Sequence, residues 1–191
     1  MKKNIIILMG KTASGKSSIA KYLSKNYNYN LAVLWTSRPK RDNEQNGIDY
    51  YFTNKNIFTD KILRGDFIEY RKYNTLVNNI KDIWYYGLEK ENNNIDLSKN
   101  NVLILTYDGA LKALQYFGSC RCKIIYIDVP NNIIKQRAKQ RCDYDTIEFK
   151  RRIKADNKDF SWNKIKGIVD KKIINVNKTI KEICEEIVNG I

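Results

Sequence analysis

Histidine is absent from this sequence of 191 residues. Zinc sites that combine cysteine with histidine ligands are therefore excluded. Four cysteines are present, but Cys120 and Cys122 are separated by a single residue, which is not the spacing of a zinc knuckle. We interpret the cysteines as free thiols of a reducing compartment.

Long hydrophobic runs are also missing. The strongly apolar stretch near the N-terminus, Ile5–Met9, is too short for a signal peptide, and no small-residue cleavage site follows it. No apolar run approaches the length of a membrane span. We therefore expect a cytoplasmic protein that does not associate with membranes.

Acidic residues are in the minority, because 35 lysines and arginines against 21 aspartates and glutamates give a formal net charge of +14. A nucleic-acid partner, a small polyanionic substrate or a lysine-rich surface could each account for this excess. The lysines are spread through every segment, which favours a surface origin, and no nucleic-acid-binding motif is present. We therefore expect no nucleic-acid partner. The arginines are fewer and clustered, and their rigid fork suits phosphate recognition; the clustered ones are Arg38, Arg41, Arg137, Arg141, Arg151 and Arg152.

Strand and helix patterns alternate along most of the chain. Apolar runs at residues 4–9, 31–35, 102–106 and 123–129 are typical of strands buried on both faces of a parallel sheet. Helical patterns begin at Ser17 and cover residues 110–116, 131–141 and 179–188. The alternation predicts an α/β fold with a parallel core sheet flanked by helices. The length fits one domain over residues 1–191.

Residues 37–86 interrupt this alternation. They are rich in tyrosine and charge, and they contain only short alternating stretches such as "DFIEYRKY". This pattern predicts a small, mostly antiparallel insertion that divides the core into residues 1–36 and 87–191. A polar loop is expected over residues 91–101.

One motif carries chemistry on its own, the stretch "GKTASGKS" from Gly10 to Ser17, which lies between a predicted strand and a predicted helix. The glycines let the backbone wrap a phosphate, Lys16 can reach the terminal phosphates, and Ser17 can hold Mg²⁺. A glycine turn with an incidental lysine is the alternative, but strand before and helix after is the context that a phosphate-binding loop requires. We expect ATP to bind residues Gly10, Lys11, Thr12, Ala13, Ser14, Gly15, Lys16, Ser17 and Ser18.

A second stretch, "TSRPKRDNEQNGIDYYF" over residues 36–52, places two arginines three residues apart beside a proline. Taken alone, it fits either a two-sided phosphate clamp or a solvated basic loop. In this stretch the chain resembles the guanylate kinase family. The residues in step with the family are Arg38, Arg41, Glu44, Gly47, Asp49, Tyr50 and Phe52. The resemblance continues through "GDFIEY" (65–70), "YYG" (85–87), "QRAKQR" (136–141) and "RRIKAD" (151–156).

The resemblance implies a P-loop kinase fold with a helical lid at about residues 131–156 and a monophosphate-binding subdomain at residues 37–86. It implies transfer of the γ-phosphoryl group of ATP to GMP or dGMP with Mg²⁺ at Ser17. Such transfer needs positioning and charge neutralisation more than a strong base, so the absence of histidine is no obstacle. A monomer or homodimer is expected.

The resemblance also implies roles for individual residues. Glu69 would accept hydrogen bonds from N1 and the 2-amino group of guanine. For Asp108, which follows a predicted strand, a helix cap is the alternative to a nucleotide contact. The implied GMP-binding residues are Arg38, Arg41, Glu44, Tyr50, Glu69, Tyr86 and Asp108, and the implied catalytic residues are Lys16, Arg137, Arg141 and Arg152.

The chain departs from the family pattern around the base. Leu34 and Leu88 stand where the family usually has hydroxyl side chains that help recognise guanine, and Thr106 replaces an acidic residue. The segment between Glu69 and Tyr86 is also longer than usual. Each unpaired polar group of a buried base costs about 1–3 kcal/mol. The hydroxyls that could substitute are those of Thr36, Ser37 and Thr75.

These departures leave two alternatives to GMP phosphorylation. The acceptor could be another nucleoside monophosphate or a phosphorylated sugar, although the retained Glu69 argues against this. A non-catalytic interaction module of guanylate-kinase-like fold is the other alternative, and the intact loop from Gly10 to Ser17 argues against it.

Overall fold

The computed structural model describes residues 3–42, 44–77, 80–91, 94–140 and 144–190. In chain order its elements are β1 (Ile5–Met9), α1 (Lys16–Tyr27), β2 (Asn30–Leu31), β3 (Trp35–Thr36), β4 (Tyr51–Phe52), α2 (Lys55–Arg64), β5 (Phe67–Val77), β6 (Ile80–Glu89), β7 (Asn101–Ile104), α3 (Tyr107–Phe117), β8 (Cys122–Asp128), α4 (Asn131–Lys139), α5 (Thr146–Asp159), α6 (Trp162–Ile165), β9 (Lys171–Ile174) and α7 (Ile180–Val188).

The chain divides into two compact units. The first unit comprises Met1–Leu31 and Asp96–Ile191, and the second comprises Ala32–Ile95. The first unit contains a five-stranded sheet in the order β2-β7-β1-β8-β9, and all of its pairings are parallel. The predicted α/β fold with a parallel core sheet is therefore confirmed.

The core of the first unit is built on β1, whose five residues are all buried. Helices α1 and α7 pack together and contribute the buried apolar side chains of Ile19, Leu23, Ile183 and Ile187. These positions recur at helical spacing, so each helix turns one apolar stripe inward and leaves its charged residues in water.

The second unit contains a four-stranded sheet in the order β4-β3-β6-β5. The β5–β6 and β3–β6 pairs are antiparallel, whereas β3 and β4 pair in parallel. Helix α2, which the sequence analysis did not predict, is capped at its start by Asn54, whose side chain accepts a hydrogen bond from the Ile57 amide. Its buried residue, Phe58, stacks on Phe67 and Tyr85.

The strand predicted over residues 31–35 is wrong. The chain instead forms two strands of two residues each, β2 beside β7 in the first unit and β3 beside β6 in the second. Ala32 and Val33 between them are buried without belonging to a strand. The apolar run indicates that the chain is buried where it passes from one unit to the other. Burial alone does not specify a strand.

The cysteines that the structure describes are free thiols, as predicted: Cys120 is exposed, and Cys122 and Cys184 are buried. Cys142 lies outside the described residues. Over the same part of the chain, no helix has the length and apolar character needed to cross a membrane.

Helix α7 is fixed at its start by a capping box, in which the Thr179 side chain accepts from the Glu182 amide and the Glu182 carboxylate accepts from the Thr179 amide. We expect Thr179→Ala to lower the free energy of unfolding by about 1 kcal/mol. Chemical denaturation measures the change. Ser161→Ala is the matched control, because Ser161 precedes α6 without a side-chain capping bond; an equal loss in both variants would contradict this account.

Candidate functional site

The loop from Gly10 to Ser17, called the phosphate loop below, joins β1 to α1 in the first unit. Gly10 has a φ of 150°, and a Cβ there would lie 2.6 Å from the carbonyl oxygen of Ile127. Gly15 has a φ of 96°, and its Cβ would lie 2.8 Å from Nδ2 of Asn175. Ala13 also has a positive φ, 54°. The positive φ at both positions, the backbone of β8 beside Gly10 and the Asn175 side chain beside Gly15 therefore favour glycine at both motif positions.

Lys16 turns its ammonium group back onto the phosphate loop. Its Nζ donates to the carbonyl oxygens of Gly10 and Lys11, each at 2.7 Å, and lies 3.3 Å from Oγ of the buried Ser14. Ser17 and Ser18 are exposed in the first turn of α1. The N-terminus of α1 and the Lys16 charge together favour an anion at this loop.

Asn175, which follows β9, joins Arg137 to the phosphate loop. Its buried amide Nδ2 donates to the Ser14 carbonyl oxygen at 2.9 Å. The guanidinium of Arg137 on α4 donates to the Asn175 carbonyl oxygen at 3.1 Å. Arg137, one of the implied catalytic arginines, is thus linked to the phosphate loop through Asn175. Asn175 lies in "IINVNKTIKEI", where the resemblance to the family is fainter, and the sequence analysis assigned it no role.

Helix α5 also reaches the phosphate loop. Oδ2 of Asp156 accepts a hydrogen bond from the Thr12 amide at 2.5 Å. Burial raises the pKa of Asp156 above its ordinary value, and the Thr12 hydrogen bond and the charges of Lys16 and Arg152 oppose that rise. The Asp156 carboxylate therefore already lies beside the Thr12 amide and near the Lys16 charge, at the loop that favours an anion. Asp156 was part of the "RRIKAD" resemblance, but its contact with the loop was not foreseen.

The arginines of α5 are held by one carboxylate. Glu148 accepts from Nε and NH2 of Arg151, each at 2.7 Å, and from Nε of Arg152 at 2.6 Å. Burial raises the pKa of Glu148, but the two arginines lower it by more than burial raises it. The pKa of Glu148 therefore lies below its ordinary value. Arg141, the third implied lid arginine, lies outside the described residues.

Asp108 lies in the first turn of α3, but it is not the cap of that helix. The cap is Thr106, whose side chain accepts from the Gly109 amide, so the capping alternative for Asp108 is wrong. The Asp108 side chain is 58% exposed and lies 3.9 Å from Nζ of Lys164. It is the GMP-binding candidate that belongs to the first unit.

In the second unit, Glu44 organises the two arginines of the motif. It forms a bidentate pair with Arg38, with NH1–Oε2 and NH2–Oε1 distances of 2.7 and 2.5 Å. It also accepts from the Arg41 amide at 3.0 Å, and the Arg41 guanidinium lies 3.8 Å away. Burial lowers the pKa of Arg38, but its hydrogen bond to Glu44 and the charges of Tyr86, Glu44 and Tyr50 together outweigh burial, so the pKa is raised overall.

Aromatic rings surround the buried Arg38. Its guanidinium carbon lies 5.3 Å from the ring centre of Tyr50 and 5.5 Å from that of Phe52. The Tyr50 ring meets the Tyr86 ring edge-on at 5.9 Å. Burial, and then the neighbouring Tyr86, raise the pKa of Tyr50 to about 12. The Tyr50 hydroxyl therefore remains protonated near neutral pH and can donate to an anion.

Glu69 lies on one face of the β5–β6 ladder. It pairs with Leu88, and two residues further on Arg71 pairs with Tyr86. Side chains directly opposite in an antiparallel pair point to the same face, so these four residues share one face, called the base face below. Glu69 is 5% exposed, and its Oε2 lies 4.0 Å from Nε of Arg71.

Two of the three hydroxyls proposed to replace the missing ones are already bonded to the backbone. Thr36 Oγ1 donates to the Tyr85 carbonyl oxygen at 2.9 Å, and Ser37 Oγ accepts from the Tyr85 amide at 2.9 Å. The buried Thr75 hydroxyl has no hydrogen-bond partner among the residues that the structure describes.

The chain matches the family model described as guanylate kinase over residues 2–189. It is 29% identical to a guanylate kinase of Homo sapiens over 175 residues, which are 89% of this chain and 84% of the relative. It is 29% identical to a guanylate kinase of Chlorobium chlorochromatii over 193 residues, 98% and 95% of the two chains. A crystal structure of guanylate kinase from Anaplasma phagocytophilum shares the fold, with a TM-score of 0.67, 24% identity and coverage of 97% and 82%.

The position of Asp156 predicts a pH-dependent stability. Because its pKa is raised in the folded state, its ionised form costs stability at neutral pH, and this cost disappears as pH falls and the carboxyl is protonated. We therefore expect Asp156→Asn, which keeps an acceptor for the Thr12 amide, to have the higher melting temperature at pH 7–8.

Thermal unfolding of the ligand-free protein at several pH values between 4 and 8 measures this difference, which we expect to narrow steadily as the pH falls. Asp60→Asn, at an exposed carboxylate of α2, is the control and should show no such trend. A melting temperature of Asp156→Asn below that of the wild type at pH 8 would contradict the prediction.

Proposed function

Because the chain belongs to the guanylate kinase family, we propose that it transfers the γ-phosphoryl group of ATP to GMP or dGMP, giving ADP and GDP or dGDP. It is a guanylate kinase-type phosphotransferase. The observation that carries the choice of acceptor is the base face, which buries the ionisable Glu69 beside the cluster of Arg38, Tyr50 and Tyr86. A buried acceptor beside a phosphate clamp suits a nucleotide whose base offers donors.

The phosphate loop is proposed to bind ATP. Its amides and the N-terminus of α1 would hold the β-phosphate, and Lys16 would exchange the carbonyl oxygens of Gly10 and Lys11 for phosphate oxygens. The residues proposed for ATP remain Gly10 to Ser18, and those proposed for catalysis remain Lys16, Arg137, Arg141 and Arg152.

The Ser17 hydroxyl is proposed to hold Mg²⁺. It is exposed beside Lys16 at the start of α1, which suits an ion bridging the protein and bound phosphates. The described part of the chain contains no group of three or more histidine, cysteine, aspartate or glutamate side chains that could hold a metal. Mg²⁺ usually takes its remaining ligands from substrate phosphates and water. When bound, the ion neutralises charge on the triphosphate.

Arg38, Arg41, Tyr50 and Tyr86 are proposed to hold the phosphate of GMP. Arg38 needs no large movement, because Glu44 and the two rings already fix its guanidinium. Glu44 itself is a carboxylate and repels phosphate, so we assign it to orienting the arginines. Glu69 would accept from N1–H and the 2-amino group of guanine, and Asp108 is retained as a candidate contact to GMP.

Residues 131–156 are proposed to act as a lid over the triphosphate, and residues 37–86 as the monophosphate-binding subdomain. Arg137 and Arg152 would neutralise charge that develops on the transferring phosphoryl group, which favours the transition state over the bound substrates. Arg152 must exchange part of its contact with Glu148 to do so.

We further propose that the enzyme acts in the cytoplasm as a monomer or homodimer, with nucleotides and not nucleic acid as its partners. The free thiols at Cys120, Cys122 and Cys184 fit a reducing compartment. Light scattering with size-exclusion chromatography determines the oligomeric state, and a gel shift with DNA or RNA tests nucleic-acid binding.

A coupled assay of ADP release with each common nucleoside monophosphate tests the proposal. We expect GMP and dGMP to be the best acceptors, with kcat/KM at least about 10⁴-fold above that for AMP, because a carboxylate that loses its donors rejects the analogue. A preference for AMP, a pyrimidine monophosphate or a sugar phosphate would overturn the proposed acceptor.

Lys16→Ala is expected to abolish phosphoryl transfer while the protein remains folded, because the glycines and Asn175 shape the phosphate loop. The turnover rate measures the loss of phosphoryl transfer, and circular dichroism shows whether the variant is folded. Lys25→Ala, which removes an exposed lysine from the last turn of the same helix, is the control and should retain full activity. Retention of most turnover in Lys16→Ala would show that the loop assignment is wrong.

Glu69→Gln is expected to erode the preference for GMP over AMP. The ionised carboxylate offers only acceptors, whereas the amide can donate to adenine N1. The measurement is the ratio of kcat/KM for the two acceptors. Glu91→Gln, at an exposed glutamate of the same unit, is the control. An unchanged ratio in Glu69→Gln would exclude this residue from base recognition.

A further inference from the structure

Arg71 is a charged residue on the base face to which neither the motifs nor the proposed function assigns a role. It lies two residues beyond Glu69 on β5 and opposite Tyr86 on β6. Its side chain is only 17% exposed, and its Nε lies 4.0 Å from Oε2 of Glu69. A guanidinium and a carboxylate therefore lie side by side on the surface proposed to meet the base.

This pair complements one edge of guanine. That edge presents two donors, N1–H and the 2-amino group, next to an acceptor, O6, with a further acceptor at N7. A carboxylate beside a guanidinium presents an acceptor beside donors, in the matching order. Arginine donating to O6 and N7 is the commonest specific contact to guanine in nucleic-acid recognition, and the same chemistry applies to the free nucleotide.

Of the groups near this surface that could donate to O6, Arg71 is the best placed. Leu88, opposite Glu69, is fully buried and apolar. The hydroxyls of Thr36 and Ser37 are bonded to the backbone of Tyr85. Thr75 lies four residues beyond Arg71 along β5, opposite Asp82. Arg71 is closer to Glu69 and longer, so it can reach the atom next to N1.

We propose that Arg71 determines specificity by donating to O6, and through its second arm to N7, of the guanine held by Glu69. This inference rests on the proposed function. AMP carries a 6-amino donor where GMP has O6, so the guanidinium would face a donor in place of an acceptor and lose this hydrogen bond. Arg71 thus rejects adenine as well as binding guanine.

The experiment compares kcat/KM for GMP, IMP and AMP in the wild type, Arg71→Ala and Arg71→Gln. GMP and IMP both carry O6 and N1–H, and only GMP carries the 2-amino group. If Arg71 reads O6, Arg71→Ala should lower kcat/KM for GMP and for IMP by similar factors, about 10- to 100-fold, and leave AMP unchanged or improved. Arg71→Gln keeps a neutral donor and should recover part of the loss.

Lys72→Ala is the matched control, because Lys72 is a neighbouring cation on the opposite face of the same strand, in register with Tyr85. It should leave all three acceptors unaffected. Thermal unfolding establishes that each variant is folded. If Arg71→Ala is unfolded, the comparison uses Arg71→Gln instead.

Three outcomes would overturn the role of Arg71. The first is an unchanged kcat/KM for GMP in a folded variant. The second is a much larger loss for GMP than for IMP, which would show that Arg71 acts only by orienting Glu69. The third is loss of O6 recognition in Thr75→Val but not in Arg71→Ala. Failure of the wild type to use GMP would instead overturn the proposed function, so the two failures are distinguishable.

Discussion

The phosphate loop depends on close contact with residues from distant parts of the chain. The carbonyl oxygen of Ile127 on β8 occupies the space of a side chain at position 10, and the Asn175 amide occupies the space of one at position 15. Asn175 and Asp156 hydrogen bond to the loop backbone. A loop held in this way keeps its backbone conformation before an anion arrives, so binding does not have to order it.

Buried charge is the second constraint, and the molecule satisfies it by pairing. Arg38 is 4% exposed and is held in a fork by Glu44, while Glu69 at 5% exposure has Arg71 within 4.0 Å. Such pairs are costly to assemble and more costly to break, since a lone buried charge is poorly solvated. A phosphate or a base that enters must therefore match the charges already present, which is a source of specificity.

Helix α5 carries charged residues of both signs that form hydrogen bonds and ion pairs. Glu148 binds Arg151 and Arg152, and Asp156 binds the Thr12 amide. A triphosphate at the loop would compete with both carboxylates for the same donors. Contacts that the nucleotide displaces would count against its binding, whereas the raised pKa of Asp156 shows that its carboxylate is unfavourable where it lies.

The sequence by itself determined the parallel sheet of the first unit and the loop from Gly10 to Ser17 with its glycines. These features depend on short-range patterns: buried β-branched runs, fixed spacing within a loop, and helix starts. The closing helix was foreseen over residues 179–188 and observed over Ile180–Val188 for the same reason.

Tertiary structure alone decided the rest. It divided the apolar run at 31–35 between two sheets, gave the cap of α3 to Thr106 and not to Asp108, and brought Asp156 and Asn175 to the loop. It also placed Arg71 beside Glu69, because the alternation of β5 and its register with β6 decide which side chains share a face. Each of these results joins residues through packing or strand pairing, and local sequence carries little information about contacts between distant residues.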